Sequence, residues 1–137
     1  MRNGRILVVE DEDHITQMLR ALLEIKGYEN IQIANNGYEG VVKYKETRPN
    51  IVLMDLEMPV MNGYESSREI KEYDPTANIV LITGNPGSPS AQRLLREGYA
   101  SHIIPKPFRF EEILEVIEKS SGFSSPPVGL GRQPMAM

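Results

Sequence analysis

The sequence predicts an α/β domain built on a five-stranded parallel sheet that carries helices on both faces. Two runs dominated by apolar residues, 51–54 and 78–82, have the length and composition of strands that are buried on both faces. Elsewhere, short apolar stretches are followed by segments whose apolar residues recur at helical spacing, which gives five alternations of strand and helix. This alternation is typical of a doubly wound sheet with right-handed crossovers.

The limits of the elements follow from apolar spacing and turn residues. Strands are predicted at residues 5–9, 31–34, 51–54, 78–82 and 101–104. The first helix is expected to take Asp13 as its N-cap and to end at Gly27. The next three helices are expected to end by residues 48–49, 74–75 and 98, and the last to span about 111–119. A loop at residues 85–90 should precede the fourth helix.

Composition limits the domain organisation and the classes of function. Residues 1–120 are expected to form one domain, and residues 121–137 a flexible tail rich in Gly, Pro and Ser. The chain has no cysteine, which excludes disulfides, thiolate metal sites and cysteine nucleophiles. A net charge of −4 disfavours unspecific nucleic-acid binding. Since the sequence shows neither a membrane-length apolar run nor a signal-peptide pattern, we expect a cytoplasmic protein that binds neither nucleic acid nor membrane.

Polar residues stand at or just beyond the carboxyl ends of four predicted strands: Glu10 and Asp11, Asp55, Thr83 and Lys106. Taken alone, Asp55 could equally be a loop residue or a helix N-cap, but the carboxyl ends of parallel strands share one edge of the sheet. Carboxylate oxygens suit Mg²⁺, and an ammonium and a hydroxyl suit phosphoryl oxygens. An aspartate can itself attack phosphorus to give an aspartyl-phosphate. The predicted edge is therefore a candidate site for phosphoryl transfer.

Four motifs in register resemble those of response-regulator receiver domains, the phosphoacceptor modules of two-component signalling. They are LVVEDE at 7–12, LMDLEMPVMNG at 53–63, LITG at 81–84 and PKPF at 105–108. The resemblance covers residues 4–120, and it implies a flavodoxin-like strand order of 2-1-3-4-5. Among doubly wound folds, this strand order occurs in flavodoxin and in a known member of the receiver family.

The resemblance implies a role for each acidic position. Asp55 would be the phosphoacceptor and a ligand of Mg²⁺. Asp11 would bind the metal directly, Glu10 through water, and Glu57 through its main-chain carbonyl. The cofactor implied is therefore Mg²⁺.

The resemblance also implies how the phosphoryl group is held and lost. Thr83 would hydrogen-bond a phosphoryl oxygen, and Lys106 would pair with the group, with the bond to the following proline commonly cis. Glu57 and Asn85 stand at the positions that tune self-hydrolysis. Activity would be limited to self-phosphotransfer and autodephosphorylation, so the chain is expected to be a switch and not an enzyme with turnover.

The partners implied are a histidine kinase or phosphotransfer protein as donor. The output would pass to a downstream protein partner, or to an effector domain that this chain does not include. A phosphorylation-dependent homodimer is a further option that the resemblance allows.

One position departs from the pattern of the family. Ile103 stands where many receivers carry the aromatic ring that follows the threonine toward the phosphoryl group. Isoleucine cannot hydrogen-bond, and its side chain is stiff at χ1. We therefore predict that the loop at residues 84–90, with two glycines and two prolines, carries more of the rearrangement.

Two alternative functions compete with that of a receiver. A phosphatase resembling the haloacid-dehalogenase group would use Asp11 of the Asp11-Glu12-Asp13 run as its nucleophile. However, the chain lacks room for a cap domain, and no late acidic pair for Mg²⁺ follows Lys106. A flavodoxin-like flavin binder would need a Ser/Thr/Gly-rich loop after the first strand, where the acidic run stands.

Overall fold

A computed structural model describes residues 2–58, 60–120 and 122–123. Over these residues, five strands alternate with five helices, as the sequence predicts. The elements are β1 (Arg2–Val9), α1 (Asp13–Ile25), β2 (Tyr28–Ala34), α2 (Gly37–Thr47), β3 (Ile51–Asp55), α3 (Gly63–Tyr73), β4 (Ile79–Thr83), α4 (Pro89–Arg96), β5 (His102–Pro105) and α5 (Phe110–Glu118). Within this part of the chain, no helix is long and apolar enough to span a membrane.

The sheet is parallel throughout, and its strand order is β2-β1-β3-β4-β5. This confirms the predicted doubly wound fold. β3 is the central strand, and its last residue, Asp55, is in register with Ile82 of β4. Thr83 is in register with Pro105 in the same way, so the carboxyl ends of β3, β4 and β5 lie side by side.

The core lies in two layers, one on each face of the sheet. On one face, Val8 and Leu53 belong to the cluster that contains Leu19 of α1 and Ile113 of α5. On the other face, Leu7, Val9, Val52 and Met54 pack with residues of α2, α3 and α4. Successive strand residues thus serve opposite layers, and every residue of β3 and β4 is buried. Burial on both faces explains why these two strands are continuous apolar runs.

The starts of two helices differ from the predictions. Asp13 is the first residue of α1 and not its N-cap, so the predicted cap is wrong; the cap position belongs to Glu12, whose side chain makes no capping bond. As an acid in the first turn, Asp13 still faces the positive end of the helix dipole. α4 begins at Pro89, inside the predicted loop, because Ser88 caps it by accepting from the backbone N–H of Ala91.

The carboxyl-terminal end of the described chain packs onto the core. Phe123 is 7% exposed, and its ring meets the buried ring of Tyr28 edge-on, with centroids 5.7 Å apart. A side chain at Gly4 would collide with Phe123, so the backbone of β1 passes close to this ring. The rest of the predicted tail, residues 121 and 124–137, lies outside the described residues. The domain limit at residue 120 therefore remains a prediction, with Phe123 packed beyond it.

Candidate functional site

Three carboxylates converge at the carboxyl ends of β1 and β3. Glu10, Asp11 and Asp55 each place a carboxylate oxygen within 4.8 Å of the others. Glu10 and Asp55 are only 3% and 2% exposed, whereas Asp11 is exposed. This convergence confirms the prediction that parallel strands bring these acids together.

Lys106 places one cation between the two buried acids. Its Nζ lies 3.2 Å from Asp55 Oδ1 and 3.4 Å from Glu10 Oε1. The residue is fixed just after β5, where its backbone N–H donates to the carbonyl oxygen of Thr83. The peptide bond to Pro107 is cis, as the resemblance implies. Lys106 therefore connects the acids at the ends of β1 and β3 to the edge strand β5.

The loop after β3 fixes the Asp55 carboxylate. The backbone N–H of Glu57 donates to Asp55 Oδ1 at 3.2 Å, so this oxygen accepts from both Glu57 and Lys106. The loop closes where the backbone N–H of Gly63 donates to the carbonyl oxygen of Leu56 at 3.1 Å. A side chain at Gly63 would collide with the carbonyl oxygen of Asp55. The glycine at this position is thus what lets α3 begin directly beneath Asp55.

The raised pKa values of Glu10 and Asp55 indicate that the site lacks positive charge. Burial, followed by the charge of Asp55, raises the pKa of Glu10 to about 7. Burial also raises the pKa of Asp55, although Lys106 opposes this shift. Burial by itself would lower the pKa of Lys106, but the Asp55 and Glu10 carboxylates outweigh it and raise that pKa.

One lysine is therefore too little positive charge for this cluster of acids. A divalent cation among Glu10, Asp11 and Asp55 would relieve the repulsion, and an all-oxygen set of ligands suits Mg²⁺. The residues present thus fit the metal that the resemblance implies.

Thr83 is buried at the end of β4 and is already hydrogen-bonded. Its Oγ1 donates to Glu57 Oε2 at 2.7 Å and accepts from the backbone N–H of Asn85 at 3.0 Å. The second oxygen of the same carboxylate, Glu57 Oε1, accepts from the backbone N–H of Gly84 at 3.4 Å. The resemblance implies that Glu57 is a backbone ligand and a position that tunes self-hydrolysis. It does not predict that the Glu57 side chain binds Thr83.

Ile103, the residue that departs from the pattern, is half-buried in β5. It is in register with Leu81 and packs against the core layer that contains Leu81 and Leu94. Its aliphatic side chain thus joins the α4 side of the core. The larger role of the loop at residues 84–90 remains a prediction.

Comparison with known proteins places the chain in a family. Residues 6–118 match the model of the response regulator receiver domain. The chemotaxis protein CheY of Thermotoga maritima is 37% identical over 117 residues, which cover 85% of this chain and 97% of that protein. CheY of Bacillus subtilis is 35% identical over 116 residues, covering 85% of this chain and 96% of its own length.

A solved structure agrees with these relatives. The response regulator TrrA of Thermotoga maritima, crystallised in complex with Mg(2+)-BeF, superposes with a TM-score of 0.73 at 34% identity. The match covers 85% of this chain and 97% of TrrA. Fold, site geometry and relatives agree, and the chain is a CheY-like receiver domain of the response-regulator family.

Proposed function

We propose that Asp55 is the phosphoacceptor of this receiver domain and that its phosphorylation switches a partner-binding surface. The observation that carries the proposal is the contact of Lys106 Nζ with both Asp55 Oδ1 and Glu10 Oε1 in a buried acidic cluster. A carboxylate oxygen of Asp55 attacks the phosphorus of a phosphohistidine on a histidine kinase or phosphotransfer protein. The phosphorus–nitrogen bond breaks, its electron pair stays on the imidazole nitrogen, this nitrogen takes up a proton from water, and an acyl phosphate forms.

Glu10, Asp11, Asp55 and the main-chain carbonyl of Glu57 would hold Mg²⁺ in this proposal. The ion supplies positive charge to the phosphoryl oxygens. The exposed Asp11 lies on the solvent side of the cluster, and the buried Glu10 and Asp55 lie beneath it. The domain thus offers acids both at the surface and inside the site.

Lys106 and Thr83 would hold the transferred group. The Lys106 ammonium already contacts Asp55 Oδ1, so it lies next to the oxygen on which phosphoryl charge accumulates. The Thr83 hydroxyl lies at the end of the neighbouring strand, in contact with the residue two positions after Asp55. Both groups can donate to phosphoryl oxygens, which positions and neutralises the group.

The acceptor assignment also separates the receiver from the phosphatase alternative. That alternative needs Asp11 as its nucleophile, yet Asp55 is the aspartate that contacts Lys106 and accepts from the backbone of Glu57. An ammonium beside the attacking carboxylate is what charge neutralisation during transfer requires. The geometry therefore favours attack by Asp55.

Phosphorylation of Asp55 is also proposed to change the surface that binds a partner. Phosphorylation draws Thr83 and Lys106 toward Asp55 and biases the face formed by α4, β5 and α5. That face meets a downstream protein partner, an effector domain outside this chain, or a second phosphorylated copy. Autodephosphorylation resets the switch. We also propose that the protein is cytoplasmic, as expected from the sequence.

Phosphorylation by a small phosphodonor tests the acceptor. With acetyl phosphate and Mg²⁺, intact-mass spectrometry should show one phosphoryl group on the wild-type domain and none on Asp55→Asn. Asp13→Asn is the matched control, because Asp13 is an exposed aspartate in the first turn of α1 and is not a member of the acidic cluster. It should be labelled as wild type is. Labelling of Asp55→Asn would place the acceptor elsewhere.

A further inference from the structure

We propose that the side chain of Glu57 is an internal latch that occupies Thr83 until the domain is phosphorylated. The Glu57 latch consists of two hydrogen bonds to one carboxylate, from Thr83 Oγ1 and from the backbone N–H of Gly84. The inference rests on the proposed function, since it assumes that Thr83 donates to a phosphoryl group on Asp55. It adds a competitor for that hydroxyl within the chain itself.

The contacts of Thr83 show that the proton of its hydroxyl is already used. Its single proton goes to Glu57 Oε2 at 2.7 Å, an ordinary distance for an O–H···O hydrogen bond. The backbone N–H of Asn85, 3.0 Å away, fixes the hydroxyl from the other side. Thr83 is fully buried, so water cannot take over either contact freely. The hydroxyl is oriented toward Glu57.

A hydroxyl has one proton to donate, so it cannot serve two acceptors at once. When a phosphoryl oxygen on Asp55 takes the Thr83 proton, the bond to Glu57 must break. Two negative groups close together also repel each other, which favours departure of the Glu57 carboxylate. Phosphoryl binding and the latch are therefore mutually exclusive states of Thr83.

Glu57 is placed to link the two loops on either side of the acceptor. Its backbone N–H is bonded to Asp55 Oδ1 in the loop after β3, while its carboxylate reaches Gly84 at the start of the loop after β4. Release of the carboxylate thus removes a hydrogen bond from the segment that leads to α4. The latch couples the chemistry at Asp55 to the backbone of the next loop.

The surroundings give the released side chain somewhere to go. Glu57 is exposed, so its carboxylate can return to solvent without a desolvation cost. A cavity of about 390 Å³ adjoins it, lined by polar residues that include Asn62, Tyr64 and Ser88. Opening the latch therefore requires a side-chain rotation and no change of fold.

The closed latch should weaken binding of any phosphoryl group that needs Thr83. A hydrogen bond to a charged group contributes enough to change a binding constant by about tenfold or more. Beryllofluoride, a phosphoryl mimic, is the probe, and its affinity with Mg²⁺ is measured by fluorine NMR. Glu57→Ala should bind it about tenfold or more tightly than wild type does. Glu57→Gln, which keeps an acceptor for Thr83, should gain clearly less.

Two controls separate the latch from a general effect of charge. Glu12→Ala removes an exposed acid near the site without touching Thr83, and it should change the affinity by less than about threefold. In a Thr83→Val background, the hydroxyl is absent, so Glu57→Ala should lose most of its gain. Amide spectra verify the fold of each variant, and the Gly84 and Asn85 amide signals should shift in Glu57→Ala relative to wild type.

The outcomes divide cleanly. A gain in Glu57→Ala that disappears in the Thr83→Val background supports the latch. No gain, an equal gain in Glu57→Gln or Glu12→Ala, or a gain that persists without the hydroxyl overturns it and leaves the acceptor assignment intact. If the wild-type domain binds no beryllofluoride at Asp55 in the presence of Mg²⁺, the proposed function fails, and the latch fails with it.

Discussion

Two buried aspartates at opposite edges of the sheet have opposite electrostatic environments. Asp55 ends β3 at the carboxyl edge, and Asp74 follows α3 at the amino edge, just before β4. They are 2% and 9% exposed. Burial raises the pKa of Asp55, whereas hydrogen bonds from Thr76 and Tyr44 lower the pKa of Asp74 to about 2.

The Asp74 carboxylate is surrounded by hydrogen-bond donors. The hydroxyl of Thr76 donates to Oδ1 at 2.6 Å, and its backbone N–H donates to the same oxygen at 3.0 Å. The buried hydroxyl of Tyr44 donates to Oδ2 at 2.7 Å, and Arg48 Nη1 is 3.3 Å from that oxygen. The charge of Asp74 is therefore fully satisfied within the protein. We infer that Asp74 stabilises the fold by joining α2 to the end of α3.

The Asp55 carboxylate lies among other carboxylates, and Lys106 supplies a compensating positive charge. Glu10 and Asp11 lie beside it, and the pKa of Glu10 is also raised by burial and by Asp55. Such a cluster costs folding stability unless a cation is present. The comparison shows that one fold places the same residue type in two environments: hydrogen-bond donors of the protein stabilise the charge of Asp74, whereas burial disfavours the charge of Asp55.

Removing the satisfied charge should have the largest effect on stability. Asp74→Ala leaves the buried Tyr44 hydroxyl without its acceptor, and we expect the free energy of unfolding at pH 7 to fall by about 3 kcal/mol. Urea denaturation in the absence of Mg²⁺ measures this, with Asp13→Ala, at an exposed acid, as the control. A loss below about 0.5 kcal/mol would contradict a structural role, because changes of that size are usual for surface positions.

The contribution of Asp74 should also disappear in acid. The folded-state pKa of about 2 lies well below the ordinary value of 3.8, because hydrogen bonds from Thr76 and Tyr44 stabilise the charged carboxylate. Because this pKa is lowered on folding, the contribution is complete well above pH 4 and is lost as the pH falls toward 2. The stability difference between wild type and Asp74→Ala, measured by urea denaturation from pH 6 to pH 2, should shrink as the pH falls through this range. A difference that does not vary with pH would refute the assignment.

Metal binding at the carboxyl edge should weaken as the pH falls. The pKa of Glu10 is about 7 in the absence of metal, so a proton competes with Mg²⁺ below that value. Between pH 8 and pH 6, the affinity for Mg²⁺ should fall about tenfold, measured by isothermal titration calorimetry. Glu10→Gln should flatten this dependence. A pH-independent affinity in wild type would show that Glu10 does not gate the metal.

Neutralising Asp55 should stabilise the domain without metal. Its pKa is raised on folding, so the charged form costs stability, and this cost appears as the pH rises through the folded-state pKa. At pH 8 without Mg²⁺, Asp55→Asn should raise the free energy of unfolding by about 1 kcal/mol. Lost pairing with Lys106 keeps the gain small. Saturating Mg²⁺ should remove or reverse the gain, and a destabilised variant in both conditions would contradict this view.

Strand ends could be predicted because their signals are local. Apolar runs mark β3 and β4, and the parallel arrangement then brings Asp55, Thr83 and Lys106 to one edge without further information. The side-chain partners could not be predicted. Asp74 looks like a helix terminator in the sequence, and its bond to Tyr44 joins residues 30 positions apart. The bond between Glu57 and Thr83 depends in the same way on how two loops pack.

Two other features also lacked a sequence signal. Val60 has a positive φ of 70°, a conformation that β-branched residues rarely adopt, and it is exposed in the loop after β3. Phe123 follows a glycine-containing segment whose composition is typical of a flexible tail, yet its ring packs against Tyr28. In both cases tertiary contacts or loop closure decide the structure, and local propensity does not.

The contrast between the two aspartates is measured most directly by a carbon-13 NMR titration of their carboxyl carbons in the wild-type domain without Mg²⁺. We predict that Asp55 titrates above the ordinary value of 3.8 and that Asp74 titrates near 2. Shifts of both groups in the same direction, or ordinary values for both, would contradict the assignment of one aspartate to chemistry and the other to the fold.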